Sequence, residues 1–203
     1  MRAPVESGAS VGHVPPRETF WNLPNAITLV RILLTPALLL LLWFRGPFWS
    51  VVLGLGFLVT SLTDLLDGYL ARRHQTVTRM GKLLDPLADK LLVMTAVVVL
   101  VAAKRIPAWG VPLVIAILGR EMAVTGLRAM ASSEGVVLGA APMGKWKTGL
   151  QIAAITALLF HYPIAGVPMH TLGMILLVVA TGLTAWSGYD YFSTFLSRRG
   201  QEP

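Results

Sequence analysis

Runs of apolar residues alternate with short polar stretches along the whole chain. Six runs stand out, at about 25–44, 48–71, 83–103, 107–130, 147–162 and 171–196. Runs of roughly 20 apolar residues are what an α-helix needs to cross the hydrocarbon core of a bilayer. In lipid, backbone N–H and C=O groups must pair within their own segment, so the runs predict helices and not open strands. The pattern predicts an all-α protein, an integral membrane bundle of six transmembrane helices spanning residues 20–197. Residues 1–19 are rich in Gly, Pro, Ser and charge and predict a flexible tail, and 198–203 form a short C-terminal tail. The first run does not read as a signal peptide, because it is long, carries Arg31 and Pro36, and is followed by no clear small-residue cleavage site. Phe20, Trp21, Trp43, Trp49, Trp109 and Tyr162 fall where an interfacial aromatic belt would lie.

The polar positions set the orientation. Arg45 lies between the first two runs, Lys104 and Arg105 lie between the third and fourth, and no Lys or Arg lies between the fifth and sixth. The other side collects Arg17, Arg72, Arg73, Arg79, Lys82, Lys145, Lys147, Arg198 and Arg199. Positive charge accumulates on the cytoplasmic side, so both termini are expected there, in a multi-pass protein of the cell's inner (plasma) membrane. Asp64, Asp67, Asp85, Asp89, Arg120, Arg128, Lys145, Lys147, Asn25, Thr28 and Arg31 all fall toward that same side. One shared site near the inner surface is the expectation.

Composition narrows the chemistry. The 203 residues are 55% hydrophobic and 13% charged, too apolar for an ordinary soluble domain of this length. Cysteine is absent, which excludes disulfides, thiolate-bound metals and a thiol nucleophile. The net charge of +7 suits anionic lipid headgroups, and no nucleic-acid motif accompanies it. The four His, at 13, 74, 161 and 170, lack metal-ligand spacing, and His161 and His170 fall on the outer side.

The candidate chemistry lies between the second and third runs. Asp64 and Asp67 are spaced i, i+3, and Asp85 and Asp89 are spaced i, i+4, so each pair shares a helix face. Four bare carboxylates aimed at one another would repel strongly at low dielectric. Hard divalent ions such as Mg²⁺ or Mn²⁺ take oxygen ligands and relieve that repulsion. Two such ions suit four acids and would also neutralise a pyrophosphate. Gly68 and Ala71 leave room for a ligand beside the helix, Gly81 removes bulk before Asp85, and Arg72 offers a fork suited to phosphate. The bland alternative pairs these acids with Arg72, Arg73, Lys82 and Lys90 in a solvated loop. Ionisable residues within membrane segments are functional candidates by default, which favours the site.

The stretch reads D-x2-D-G-x2-A-R-x8-G-x3-D-x3-D with every named position filled, from Asp64 to Asp89. It resembles the signature of the CDP-alcohol phosphotransferases, membrane enzymes of phospholipid synthesis. The resemblance covers most of the chain outside the N-terminal tail. It implies transfer of a phosphatidyl or similar group from a CDP-linked donor to an alcohol, with release of CMP. It implies that Asp64, Asp67 and Asp85 bind a first metal and that Asp64, Asp85 and Asp89 hold a second. Asp89 is then also the general base. Gly68, Arg72 and Thr78 are implied contacts of the cytidine diphosphate, with Ala71 and Gly81 beside it and Asn25 and Thr28 added from the first helix. Homodimers are frequent in this family, and nothing in the sequence marks an interface.

A second stretch bears on the acceptor. Arg120 and Arg128 lie about 80° apart on a helical wheel. With Lys145 and Lys147 they offer cations to one anion, which a phosphorylated acceptor needs and a neutral alcohol does not. Lys145 and Lys147 have a blander reading as positive-inside residues, Glu121 as a structural partner of Arg120, and Arg31 either as a further phosphate ligand or as a side chain snorkelling to the interface. Arg120, Glu121, Leu127 and Arg128, followed by Gly144, Lys145, Lys147 and Thr148, resemble the pattern of phosphatidylglycerophosphate synthases. That resemblance implies CDP-diacylglycerol as donor and sn-glycerol 3-phosphate as acceptor, within a membrane lipid environment. Inositol phosphate, serine or phosphatidylglycerol stay open as acceptors. A cation transporter is the alternative from another class, and it would place acids near the bilayer midplane. The role of Asp190, near the cytoplasmic end of the sixth run, is left open between structure and site.

Overall fold

The computed structural model describes residues 31–33, 35–44, 46–74, 79–133 and 143–199. The second to sixth runs form five α-helices: α1 (Pro47–His74), α2 (Arg79–Ala102), α3 (Val111–Ser133), α4 (Met143–Phe160) and α5 (Met169–Arg199). No strand occurs among the described residues, and a single bridge between Ile164 and Val167 closes the turn from α4 to α5.

The first run departs from expectation. After a helical turn at residues 31–33 it continues as a 3-10 helix over Thr35–Leu42. Pro36 supplies no N–H and its ring crowds the carbonyl four residues back, so a regular α-helical ladder cannot pass through it. The helices otherwise extend a few residues beyond the apolar runs at their polar ends. α1 has 28 residues, about 42 Å at 1.5 Å per residue, longer than a bilayer core of about 30 Å. Among the described residues, Ala108–Ala131 and Met169–Ser193 are each long and apolar enough to cross a membrane. The uninterrupted apolar parts of α1, α2 and α4 are shorter, at Pro47–Thr63, Lys90–Ala102 and Trp146–Phe160. In α1 and α2 the apolar part stops where the acidic pairs begin.

α4 is the centre of the bundle. It packs most extensively on α5 and also meets α1 and α2, while α3 leans on α5 and the 3-10 segment lies along α2. One continuous core joins Leu41, Phe57, Leu100, Ile117, Ile155 and Leu177. Large apolar side chains also cover the outside, among them Phe48, Val59, Val98, Ile115, Ile175 and Trp186. Helices apolar on both faces belong in lipid. Gly173 sets the α4–α5 contact: a Cβ there would come within 2.9 Å of the Leu158 backbone nitrogen. Small residues of this kind let membrane helices approach closely. The hydroxyls of Thr35, Ser50, Thr60, Thr156 and Thr181 each donate to the carbonyl four residues back, which satisfies them inside apolar helices.

Arg105, counted above as a loop charge, is buried, with 4% of its surface exposed. Its guanidinium donates to the Leu159 carbonyl at the end of α4 and, at 2.6 Å, to Ser50 Oγ at the start of α1. Its own carbonyl meets His170 Nε2 at 2.9 Å. One residue, through its side chain and its carbonyl, thus ties three helix ends together on the side opposite the acidic pairs. His161 and His170, nine positions apart in sequence, stand with ring centroids 5.0 Å apart beside it. Burial, then the Arg105 charge and then His170, hold the His161 pKa below its ordinary value.

Candidate active site

α1 is helical through Asp64 and Asp67, and α2 is helical through Asp85 and Asp89. The i, i+3 and i, i+4 spacings therefore act as helical spacings, and each acidic pair shares a face of its own helix. Gly68, Ala71 and Arg72 continue α1, Gly81 lies in the first turn of α2, Arg128 lies on α3 and Lys145 on α4. The side chains at these positions lie outside the described residues, as do Asn25, Thr28 and Thr78 altogether. The side chains of Asp64, Asp67, Asp85 and Asp89 lie outside the described residues as well; as a residue type, carboxylates offer the oxygen ligands that hard divalent ions take.

Beside Asp89 the described side chains form a defined cluster. Glu121 of α3 sits at its centre. Lys147 of α4 forms an ion pair with Glu121 Oε1, and Arg120 Nη1 lies 3.4 Å from that same oxygen. Lys90 of α2, the residue after Asp89, places its Nζ 3.6 Å from Glu121 Oε2. Only 4% of the Lys147 side chain is exposed, against 27% for Lys90. Three cations from three helices thus surround one carboxylate, and together they leave two net formal positive charges.

Arg120 has a second anchor on α5. Its Nη2 donates to Ser187 Oγ at 2.7 Å, and its guanidinium lies 5.9 Å from the centre of the Tyr191 ring, within cation–π range. Gly188 makes room for it: a Cβ there would stand 3.0 Å from Arg120 Cγ. The Nε of Arg120 is buried without a hydrogen-bond partner. A cavity of about 40 Å³ adjoins the cluster, lined on its polar side by Lys90, Glu121, Thr148 and Gln151. Gln151 in turn donates to Thr184 Oγ1 at 3.3 Å, tying α4 to α5 behind the cavity.

The structure revises several sequence readings. Among the described residues Lys90 pairs with Glu121, while the acids that the bland alternative would pair it with have side chains outside the described residues. Glu121 is the partner of Arg120, but Lys147 is its nearer one. Lys147 is a buried, paired cation and not only a positive-inside residue. Arg31 does not snorkel: 2% of its surface is exposed, and its carbonyl accepts from Thr35 Oγ1 at 2.8 Å. Asp190 is exposed, and its carbonyl accepts from Ser193 Oγ at 2.9 Å. Sequence reasoning named Lys90 only as a possible loop partner of the acids and did not single out Ser187 or Tyr191. The only signal was the small pair Ser187–Gly188, one helical turn from Tyr191 on an otherwise bulky stretch.

Comparison with known proteins places the chain among relatives. Residues 21–186 match the family model described as CDP-alcohol phosphatidyltransferase. The CDP-diacylglycerol–glycerol-3-phosphate 3-phosphatidyltransferase of Bacillus subtilis (strain 168) is 42% identical over 188 residues, which covers 85% of this chain and 94% of that protein. An enzyme of the same name from Rickettsia bellii is 36% identical over 172 residues, covering 84% of this chain and 93% of that protein. A cardiolipin synthase (CMP-forming) of Oryza sativa subsp. japonica is 37% identical over 190 residues, covering 85% of this chain but 57% of that protein. With the acidic signature in place on α1 and α2 and the match running from the first run into α5, the chain belongs to the CDP-alcohol phosphatidyltransferase family.

Proposed function

We propose that this protein transfers the phosphatidyl group of CDP-diacylglycerol to sn-glycerol 3-phosphate, giving phosphatidylglycerophosphate and CMP in phospholipid synthesis. The observation that carries the reading is the meeting of Lys90, Arg120 and Lys147 beside the turn of α2 that bears Asp89. An acceptor phosphate held by these cations lies next to the helix that carries the base. The names of the Bacillus and Rickettsia relatives support the same reaction.

In this reading Asp89 removes the proton from the C1 hydroxyl of the acceptor as its oxygen bonds to the β-phosphorus of the donor. The bond from that phosphorus to the CMP oxygen breaks, and the proton stays on the Asp89 carboxylate. Transfer is direct and in line. Asp64, Asp67, Asp85 and Asp89 hold two divalent ions, Mg²⁺ or Mn²⁺. Such ions, when bound, neutralise charge on the pyrophosphate and the leaving group. Asn25, Thr28, Asp67, Gly68, Ala71, Arg72, Thr78 and Gly81 contact the cytidine diphosphate part of the donor. Arg120 and Lys147 bind the acceptor phosphate, joined by Arg128, Lys145 and Arg31 from neighbouring segments. An apolar groove of about 390 Å³ between the 3-10 segment and α2, lined by Leu39, Leu91, Met94 and Val98 among others, suits a lipid chain in its chemistry.

The protein works as a multi-pass bundle of six membrane helices (residues 20–197, with tails at 1–19 and 198–203) in the plasma membrane, with its site and both termini toward the cytoplasm, and as a homodimer. Family membership and the apolar outer faces of the helices support the membrane setting. The name of the rice relative raises a second reading, cardiolipin synthesis with phosphatidylglycerol as acceptor. The cation cluster opposes it, because a phosphodiester carries one negative charge and needs fewer cations than a monoester. The acceptor assignment is tested by Arg120→Ala, which raises the KM for glycerol 3-phosphate far more than that for CDP-diacylglycerol. An equal rise in both removes Arg120 from the acceptor site.

A further inference from the structure

We infer that Glu121 is a positioning residue of the acceptor site: it holds Lys90 and Lys147 at the place of the acceptor phosphate and leaves the site with the charge of a phosphate monoester's counterpart. The inference rests on the acceptor reading above and deepens it. Lys90 and Lys147 belong to different helices, and among the described residues Glu121 is the carboxylate that pairs with either. Lys147 is nearly enclosed by protein, and a buried ammonium without a counter-ion is costly. Without the Glu121 charge the three cations repel one another, and nothing described in the structure holds Lys90 and Lys147 together.

Arg120 differs from the two lysines. Ser187 and Tyr191 fix it from α5, so it keeps its place without Glu121. Its contact with Glu121 is also long, at 3.4 Å. The carboxylate is thus needed by the lysines more than by the arginine.

The cluster is not closed off as an inert structural bridge would be. Lys90 and Glu121 line the 40 Å³ cavity with Thr148 and Gln151. A water needs roughly 10–15 Å³ of such space, so the cavity has room for water beside Lys90 and Glu121. The balance of charge selects among ligands. Three cations and one carboxylate leave two positive charges, and a phosphate monoester carries about −1.5 to −2 at neutral pH. A phosphodiester or a neutral alcohol leaves part of that charge unmatched.

The test follows CMP release at varied glycerol 3-phosphate and varied CDP-diacylglycerol for the purified full chain. Glu121→Gln keeps the shape and removes the charge. It is expected to raise the KM for glycerol 3-phosphate by about tenfold or more, a loss of acceptor binding rather than of the donor, whose KM stays within about twofold. Glu121→Asp, which restores the charge, is expected to recover most of the loss. An unchanged KM for glycerol 3-phosphate in Glu121→Gln, or an equal rise for both substrates without recovery by Asp, overturns the inference. If Glu121→Gln does not fold, the double variant Glu121→Gln with Lys147→Met removes both enclosed charges at once. It is expected to fold with an acceptor KM above that of Lys147→Met alone, because Lys90 also loses its partner, and an equal KM in the two overturns the inference. Lys147→Met alone separates the two levels. If it leaves the acceptor KM unchanged, the acceptor reading itself falls; if it raises that KM and Glu121→Gln does not, only the role of Glu121 falls.

Discussion

Arg120 Nη2 of α3 donates to Ser187 Oγ of α5 at 2.7 Å, across 67 positions of sequence. The bond fixes the orientation of a guanidinium whose Nε is buried and unpaired. Ser187 is itself buried, and its hydroxyl accepts this bond. Ser187→Ala therefore loosens Arg120. A hydrogen bond to a charged group contributes about 1.5–3 kcal/mol, so the KM for glycerol 3-phosphate should rise roughly tenfold or more. The donor KM should stay unchanged. Steady-state kinetics with each substrate varied separately checks this, and a rise confined to the donor refutes it.

Asp89→Asn is expected to abolish transfer while CDP-diacylglycerol still binds measurably. The amide cannot take the acceptor proton at neutral pH, yet it is close in shape to the carboxylate. Single-turnover CMP release and equilibrium binding of the donor separate the two effects. Turnover near that of the unaltered protein would remove Asp89 as base.

At the other end of the bundle, Arg105 joins Leu159 and Ser50 in a buried network. Arg105→Lys keeps the charge but cannot reach both partners with a planar fork. Leaving a buried acceptor without its donor costs about 1–3 kcal/mol, so the thermal midpoint in detergent should fall. The acceptor KM of the folded fraction should not change, since the network lies away from the Glu121 cluster. A stable Arg105→Lys protein contradicts the account of how the outer ends are tied.

His161 gives a pH dependence with a definite sign. Burial, the Arg105 guanidinium and His170 depress its pKa in the folded protein below the ordinary value. The unfolded chain therefore binds this proton more readily, and stability falls as pH drops through the ordinary His range of about 6.5 and on toward the lower folded value. Thermal unfolding at stepped pH should show the midpoint falling on acidification, with a smaller fall in His161→Gln. An identical pH profile for both proteins would refute the assignment to His161.

Much of this arrangement was legible in the residues. The acidic pairs announce themselves because their spacings are helical and their surroundings are apolar, so a charged position there stands out. Arg120 was visible for the same reason. The partners were not. Lys90 follows Asp89 in a basic, polar stretch and looks like any positive-inside lysine until α2 and α3 are brought together. Arg105 is likewise one of two basic residues in a short loop, and its burial depends on a carbonyl 54 positions away. Pro36 counted only against a signal peptide, and the apolar run continuing past it hid the change to 3-10 geometry. Periodicity reports which residues face a core; it does not report which polar groups from distant helices meet.

The most direct test of the central claim offers one acceptor at a time to the purified protein in detergent with CDP-diacylglycerol and Mg²⁺ or Mn²⁺. Glycerol 3-phosphate, inositol phosphate, serine and phosphatidylglycerol are compared by CMP release, with a chelator as the metal-free control. The account predicts release with glycerol 3-phosphate alone, and its loss on chelation. Release with phosphatidylglycerol in its place would contradict the reading of Lys90, Arg120 and Lys147 as a phosphate-monoester site, and no release with any acceptor from folded, metal-loaded protein would contradict the enzyme itself.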